Sequence, residues 1–121
     1  AKDYTEMQWK ILQHNKPDDF VIATGKTTSV RQFVNECCKY LNLKIIWIGK
    51  GINEKGYIIR NKKKELAVKV DRKYYRPLEI DYLRGDPRKS FKILKYKIKY
   101  NLKDLVKDMM DSDIRLAKKN I

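Results

Sequence analysis

The chain has 121 residues, enough for one small domain. Its hydrophobic fraction of 42% and its charged fraction of 36% are typical of a globular protein with a well-solvated surface, and they exclude the disordered and collagen-like classes. No apolar run approaches the roughly 18 residues that a transmembrane helix needs, and residues 1–4 have the pattern of neither a signal peptide nor a transit peptide. We therefore expect a cytoplasmic protein.

The net charge of +14 raises the possibility of a nucleic-acid partner. The 29 Lys and Arg residues are, however, spread along the chain and mixed with 15 acids, and the one run of three is Lys62, Lys63 and Lys64. Scattered positive charge attracts polyanions without specifying them. A stand-alone basic nucleic-acid-binding module therefore stays an alternative that rests on charge and an aromatic loop.

The first third of the chain predicts a helix, a strand and a second helix. Apolar residues at helical spacing predict the first helix over residues 3–13, which ends at the turn residues 15–19. The short apolar run at residues 20–23 predicts a buried strand, followed by a loop. Ser29 is a candidate N-cap for the second helix. Its apolar stripe comprises Val30, Phe33, Val34, Cys37 and Leu41.

The middle of the chain is predicted to consist mostly of β-strands. Residues 44–48 predict a strand, and residues 57–59 and 66–70 predict two strands that could pair as a hairpin around the polar residues 61–65. Residues 71–77 end in a proline and should be extended. Residues 81–83 could be a very short strand.

The last third predicts two helices. Pro87 is expected in the first positions of a helix that continues to residue 96. Asn101 is a good N-cap for a final helix that runs nearly to Asn120. Its apolar face comprises Leu102, Leu105, Val106, Met109, Met110 and Leu116. The whole pattern predicts a small α/β fold, α+β-like when isolated, with three or four helices and short strands.

The residues that could carry metal or redox chemistry are few. Cys37 and Cys38 are adjacent, and neighbouring cysteines rarely meet disulfide geometry, so we expect reduced thiols. The single histidine, His14, is far from them in sequence, and no zinc ligand set can be assembled. A solvated or helix-capping role is expected for His14.

Motifs of a self-sufficient enzyme are missing from these residues. Residues 24–27, Thr-Gly-Lys-Thr, lack the first glycine and the spacer of a phosphate-binding loop. Tyr40 and Lys44 have the Tyr-x-x-x-Lys spacing of a dehydrogenase pair, but they fall where a helix ends and a strand begins. We therefore expect no catalytic and no cofactor-binding residue in this chain, which should be inactive alone.

A resemblance to a known family is carried by residues 74–86, Tyr-Tyr-Arg-Pro-Leu-Glu-Ile-Asp-Tyr-Leu-Arg-Gly-Asp. They are similar to the Tyr-Tyr-Arg-Pro-Thr-Glu-Val-Asp-x-Leu-x-Gly-Asp block of the GDP-mannose 4,6-dehydratases, with Leu78 in place of the usual threonine. Residues 1–9, 17–25, 29–34 and 105–109 also resemble family segments, in the right order and at the right spacing. The resemblance therefore covers essentially the whole chain.

The resemblance implies a position within a larger enzyme. The family consists of extended short-chain dehydrogenase/reductases in which an N-terminal Rossmann domain binds NADP(H) and a smaller C-terminal region closes over GDP-mannose. The product is GDP-4-keto-6-deoxymannose, a precursor of GDP-fucose. Residues 1–121 would be the C-terminal substrate-binding region, without the Rossmann domain, and a homo-oligomer is expected for the parent enzyme.

The same resemblance implies substrate-binding roles for Arg76, Glu79 and, with less support, Arg31. The arginine of the Arg-Pro-x-Glu block would hold the nucleotide diphosphate through its planar fork, and Glu79 would accept hydrogen bonds from ribose hydroxyls. Two alternatives stay open: Arg76 could pair with a local acid such as Asp81, and the parent could be a related nucleotide-sugar epimerase or dehydratase.

Overall fold

The computed structural model describes all residues, 1–121. It contains four α-helices and one three-stranded antiparallel sheet, which confirms the predicted α/β class with three or four helices and short strands. The helices are α1 (Lys2–Gln13), α2 (Val30–Tyr40), α3 (Arg88–Ile93) and α4 (Leu102–Lys119), and the strands are β1 (Lys44–Ile48), β2 (Lys55–Arg60) and β3 (Lys63–Lys69). None of the helices is long and apolar enough to cross a membrane.

The chain divides into two compact units. The first unit combines Ala1–Thr28 with Asp81–Leu105, and the second combines Ser29–Ile80 with Val106–Ile121. Each unit is described by itself below.

A buried carboxylate organises the first unit. Asp3, in the first turn of α1, is only 6% exposed. Its Oδ1 accepts hydrogen bonds from the Tyr96 hydroxyl and from the backbone N–H of Lys99 at 3.0 Å, and its Oδ2 accepts one from the N–H of Tyr100 at 3.0 Å. Three donors from residues 96–100 thus bond one carboxylate in the first turn of a helix, where the helix dipole also favours negative charge. Met7, one turn further along α1, is also fully buried.

Those hydrogen bonds set the acidity of Asp3. Burial alone raises the pKa of this carboxyl, but the bonds from Tyr96, Lys99 and Tyr100 and the positive charge of Lys99 outweigh burial, so the pKa lies below its usual value. Burial, and then the bond to Asp3, raises the pKa of Tyr96. The pair therefore holds as a carboxylate and a neutral phenol.

The predicted strand at residues 20–23 is wrong, because that segment belongs to no sheet. Its polar groups are met by side chains of α3 instead of by a neighbouring strand. The Ser90 hydroxyl donates to the carbonyl of Val21 at 2.6 Å, and Lys89 Nζ donates to the Asp19 carbonyl at 2.9 Å and to Asp18 Oδ1 at 2.8 Å. The short strand predicted at residues 81–83 is also absent, because these residues belong to no sheet.

Two backbones approach closely where residues 21–27 meet residues 83–87. The Thr27 hydroxyl donates to the carbonyl of Leu83 at 3.0 Å. A Cβ added to Gly85 would lie 2.6 Å from the Cβ of Ala23. The absence of a side chain at Gly85 is therefore what allows the two segments to touch.

Helix α3 is shorter than the sequence predicts. Pro87 is the N-cap rather than the first helical residue, and the helix ends at Ile93 instead of continuing to residue 96. Lys95 has φ of +50°, a left-handed conformation that terminates helices. The chain then turns so that the Tyr96 hydroxyl and the backbone amides of Lys99 and Tyr100 reach Asp3.

The second unit begins with a capping box that confirms Ser29 as an N-cap. Ser29 Oγ accepts from the N–H of Gln32 at 3.1 Å, and the Gln32 side chain accepts from the N–H of Ser29 at 2.9 Å. Of the two cysteines on α2, Cys38 is the buried one, whereas Cys37, placed on the predicted apolar stripe, is only half-buried.

The sheet confirms the predicted hairpin, with a tighter turn. Strand β2 pairs with both β1 and β3. Only Asn61 and Lys62 form the turn, with φ of +47° and +63°, as two-residue hairpin loops require. Strand β3 therefore begins at Lys63, three residues before the predicted start, because the polar residues 63–65 are exposed strand rather than loop.

Helix α4 starts at its predicted cap. Asn101 Oδ1 accepts from the N–H of Asp104 at 3.0 Å, and Asp104 Oδ2 accepts from the N–H of Asn101 at 2.9 Å. Of its apolar face, Val106 is buried, Leu102 and Met110 are half-buried, and the rest is exposed. The predicted stripe is thus covered along only part of its length.

We predict that Asp3→Asn lowers the free energy of unfolding by about 1–3 kcal/mol, because an amide group turns one acceptor into a donor opposite a buried donor. The wild-type carboxylate has a lowered pKa, so its contribution is present above the unfolded-state pKa of about 4 and is lost as pH falls through the folded-state value. Urea unfolding at pH 7 and at about pH 3 measures both effects. A variant with the same stability and the same acid sensitivity as the wild type would contradict the role of Asp3.

We also predict that Gly85→Ala lowers stability by about 1–3 kcal/mol, because the new methyl group overlaps that of Ala23. The double substitution Ala23→Gly with Gly85→Ala removes the overlap and should recover part of the loss. Thermal unfolding of the two single variants and the double variant measures the coupling. Strictly additive effects would show that the contact between these residues is not the cause.

Candidate functional site

The Arg-Pro-x-Glu segment lies between a turn and an extended stretch in the second unit. Residues Arg72–Tyr74 form a single 3-10 turn, capped by Asp71, whose Oδ1 accepts from the N–H of Lys73 at 2.9 Å. Tyr75 then has extended φ and ψ of −72° and 129°. The predicted extended run at residues 71–77 is therefore confirmed at Tyr75 and wrong at residues 72–74, where the Asp71 cap favours a turn.

Arg76 and Glu79 are both exposed, and neither has a hydrogen bond or an ion pair within the chain. Pro77 keeps the backbone at Arg76 out of the helical region. The guanidinium fork of Arg76 and the carboxylate of Glu79 are thus available to a ligand.

Large apolar side chains interleave with these charges. Tyr74 is 73% exposed and Leu78 is 97% exposed, and Tyr75 and Ile80 are also exposed. Exposed aromatic and apolar residues around an unpaired arginine can pack against a sugar or a base, and their desolvation would accompany binding. The sequence signals this arrangement only weakly, because alternating apolar and charged residues equally predict a half-buried strand.

Arg31 lies elsewhere, on the first turn of α2. Its guanidinium forms an ion pair with Glu54 and sits over the Trp47 ring at 5.5 Å. Trp47 in turn donates its indole N–H to Asn35 Oδ1 at 2.8 Å. No hydrogen bond or ion pair connects Arg31 to Arg76 or Glu79, so the three predicted residues are not joined into one cluster.

The other groups with catalytic potential are engaged structurally. Tyr40 ends α2 and donates its hydroxyl to Asp111, and that bond raises the pKa of Tyr40, so the phenol is held protonated. Lys44 begins β1. The two residues thus lie at a helix end and a strand start, as the sequence predicts, and no hydrogen bond joins them.

The thiols and the histidine show no sign of activation either. Burial raises the pKa of both Cys37 and Cys38, which disfavours reactive thiolates. His14 is the C-cap of α1 and contacts Phe20 edge-on at 5.5 Å between ring centroids, as its capping role predicts. No group of three or more His, Cys, Asp or Glu residues could hold a metal ion.

One shallow depression lies along α4. Its lining residues are Asp111, Ile114, Arg115, Lys118 and Lys119, all from that helix. A ligand there would touch a single helix surface, so this depression is no enclosed pocket.

Comparisons with known proteins agree with the segment matches. The sequence model of the family described as GDP-mannose 4,6 dehydratase matches residues 1–109. The chain is 47% identical over 118 residues to the GDP-mannose 4,6 dehydratase of Dictyostelium discoideum, covering 98% of this chain and 33% of that protein. It is 42% identical over 120 residues to the enzyme of that name from Homo sapiens, covering 99% of this chain and 32% of that protein, and 36% identical over 128 residues to the one from Vibrio cholerae, with 99% and 34% covered.

The chain therefore spans about a third of the length of the curated relatives that it matches. The family match extends through α1, the sheet, the Arg-Pro-x-Glu segment and the first part of α4.

We predict that chymotrypsin cleaves the native chain first between residues 74 and 83, because these aromatic and leucine side chains are exposed and the backbone there makes few hydrogen bonds. Tyr96 provides an internal control, since it is only 3% exposed and bonded to Asp3. Mass spectrometry of early digestion products identifies the sites. Cleavage after Tyr96 as fast as after Tyr74 would contradict the exposure of this segment.

Proposed function

The chain belongs to the GDP-mannose 4,6-dehydratase family, and we propose that it supplies the part of such an enzyme that binds GDP-mannose. The observation that carries the proposal is the unpaired, exposed Arg76 next to Pro77 in the Arg-Pro-x-Glu segment. An exposed arginine without an internal partner loses no ion pair when it takes up an anionic ligand.

Arg76 is proposed to bind the diphosphate. A guanidinium donates two parallel hydrogen bonds to phosphate oxygens, a geometry that the ammonium of lysine cannot reproduce. Because Pro77 restricts the backbone next to Arg76, less backbone conformational entropy is lost when the ligand orders this residue.

Glu79 is proposed to accept hydrogen bonds from the ribose hydroxyls. Carboxylates accept such bonds in nucleotide sites, and Glu79 has no competing partner in the chain. The two residues are three apart along an exposed backbone, so one could face the phosphates while the other reaches the adjoining sugar. Tyr74, Tyr75 and Leu78 would then cover the apolar faces of the ligand.

Arg31 is proposed as a further contact with the anionic ligand. Its side chain is half exposed but already paired with Glu54. Recruiting it to a phosphate would require that pair to break, so its contribution to affinity should be smaller than that of Arg76.

The residues of this chain do not fit a dinucleotide cofactor. Its five glycines, at positions 25, 49, 51, 56 and 85, form no Gly-x-Gly-x-x-Gly loop, and Glu54 stands where the third glycine after Gly49 and Gly51 would be. We propose that NADP is bound, as is typical of short-chain dehydrogenase/reductases, by the part of the protein that corresponds to the remaining two thirds of the relatives.

The activity of the whole protein is likewise a proposal. It would act as a lyase that removes water from GDP-mannose and yields GDP-4-keto-6-deoxymannose, the precursor of GDP-fucose. A homo-oligomer containing a Rossmann domain and a cytoplasmic location complete the proposal, and the unpaired thiols of Cys37 and Cys38 accord with a reducing compartment. Nothing in the site favours nucleic acid or a different nucleotide sugar.

We predict that Arg76→Ala weakens GDP-mannose binding by about tenfold or more, since a pair of charge-assisted hydrogen bonds is lost. Arg76→Lys should fall between the wild type and Arg76→Ala, because the charge remains and the fork does not. Isothermal titration with GDP-mannose measures the affinities.

Two further variants serve as references in the same titration. Arg60→Ala removes an exposed arginine at the end of β2 and should leave the affinity unchanged, whereas Arg31→Ala should reduce it less than Arg76→Ala does. An affinity for Arg76→Ala within about a factor of three of the wild type would remove Arg76 from the site.

A further inference from the structure

Half of the net charge of the protein is concentrated around its sheet. Residues 44–73 contain ten Lys or Arg residues and three acids, so they carry +7 of the total of +14. The proposed GDP-mannose site uses none of these charges. The strand pairing shows which of these charged residues share one face of the sheet.

The two faces of the sheet can be told apart by Trp47. Trp47 lies on the face that packs against α2, because its indole bonds Asn35 and lies under Arg31. Side chains alternate along a strand, and directly paired residues share a face. Ile46, its partner Tyr57 and the partner of Tyr57, Leu66, are therefore on the face opposite to α2.

This opposite face is a grid of three rows across the three strands, which we call the lysine-flanked face. The middle row is apolar: Ile46, Tyr57 and Leu66. The rows on either side contain the four lysines of this face: Lys44, Ile59 and Lys64 in one, and Ile48, Lys55 and Lys69 in the other.

Charge and exposure distinguish this face from an ordinary solvated surface. All four lysines are exposed, Leu66 is 52% exposed and Ile48 is 49% exposed. No acidic residue occurs among the nine, whereas Glu65 lies on the α2 face, paired with Ile58. The four lysines beside the apolar row therefore have no carboxylate on their own face to balance their charge.

We propose that the lysine-flanked face docks an acidic amphipathic helix of a partner protein. Three strands and three rows measure about 10 by 13 Å, which matches about two turns of helix. A helix with a narrow apolar stripe flanked by Asp or Glu would place the stripe on the middle row and its carboxylates beside the lysines. The charge pairs set orientation and association rate, and the apolar row excludes water.

Other occupants fit the face less well. A second copy would place lysine against lysine and bring together two chains of +14 each. Single-stranded nucleic acid stacks its bases on aromatic rings, and Tyr57 is the one aromatic side chain among five apolar residues here. An anionic bilayer is engaged by apolar side chains that protrude beyond the basic ones, whereas Ile46 and Tyr57 are half-buried between their neighbours.

The probe for the test is a synthetic 18-residue helical peptide, about 27 Å long, with leucines at i, i+3, i+4 and i+7 flanked by glutamates. A scrambled peptide of the same composition is its control. Heteronuclear NMR of the 121-residue chain should show shifts confined to residues of β1, β2 and β3 with the amphipathic peptide. Binding should weaken as salt increases.

Matched double variants test the face itself. Lys44→Glu with Lys64→Glu reverses two charges on the lysine-flanked face and should weaken binding of the peptide by about tenfold or more. Lys62→Glu with Lys63→Glu makes the same charge change at the turn and on the other face, and should weaken it by less than about threefold. If the first variant unfolds, Lys44→Gln with Lys64→Gln and the apolar variant Leu66→Ser replace it.

Several results would overturn the proposal. Equal binding of the scrambled peptide, or equal losses in the two double variants, would mean diffuse attraction. Tighter binding of an oligonucleotide or of phosphatidylserine vesicles, lost in Lys44→Glu with Lys64→Glu, would assign the face to nucleic acid or to a membrane. Sedimentation that shows self-association abolished by the same substitutions would assign it to a second copy.

Discussion

The buried carboxylate of Asp3 is the interaction on which the first unit depends. It connects the first turn of α1 to residues 96–100, more than ninety positions away in the chain, through a phenol and two backbone amides. A charge with 6% exposure is tolerated only when its acceptor sites are filled, and here they are. Because the amides belong to the segment leading into α4, the same carboxylate holds that segment against the first turn of α1.

The rest of the first unit follows from this closure. Residues 18–23 lie beside α3, and Ser90 and Lys89 of that helix donate hydrogen bonds to the carbonyls of Val21 and Asp19. These carbonyls therefore need no neighbouring strand. Gly85 lets residues 83–87 touch residues 21–27. The result is a unit held by a few specific polar bonds and backbone contacts, with a small apolar core around Met7, Leu94 and Tyr96.

The second unit separates its charged surfaces by function. Helix α2 packs against β1, where the Arg31 guanidinium lies over the Trp47 ring and forms an ion pair with Glu54. Arg76 and Glu79 lie beyond the sheet without internal partners, in the segment that the dehydratase family shares. The lysines of the outer sheet face form a third, separate group. A net charge that looks diffuse in the sequence thus divides into a structural part, an unpaired part at Arg76 and Glu79 for which we propose ligand binding, and the lysine-flanked face, because strand alternation and pairing sort residues that are mixed along the chain.

The sequence by itself determined α1, α2 and α4, the caps at Ser29 and Asn101, and the family. Ser29 and Asn101 are read from local chemistry, since a side chain that accepts from its own helix needs no distant partner. The motif that contains Arg76 and Glu79 is also legible in the sequence, and it lies within the residues that the family model matches. Tertiary structure decided the rest. Residues 20–23 have the composition of a strand but no strand beside them, Cys38 rather than Cys37 is buried, and α3 stops at a left-handed Lys95 so that Tyr96 can bond Asp3. Each of these outcomes depends on residues that are distant in the chain, and the pattern of neighbouring residues in the sequence does not indicate which distant residues come into contact.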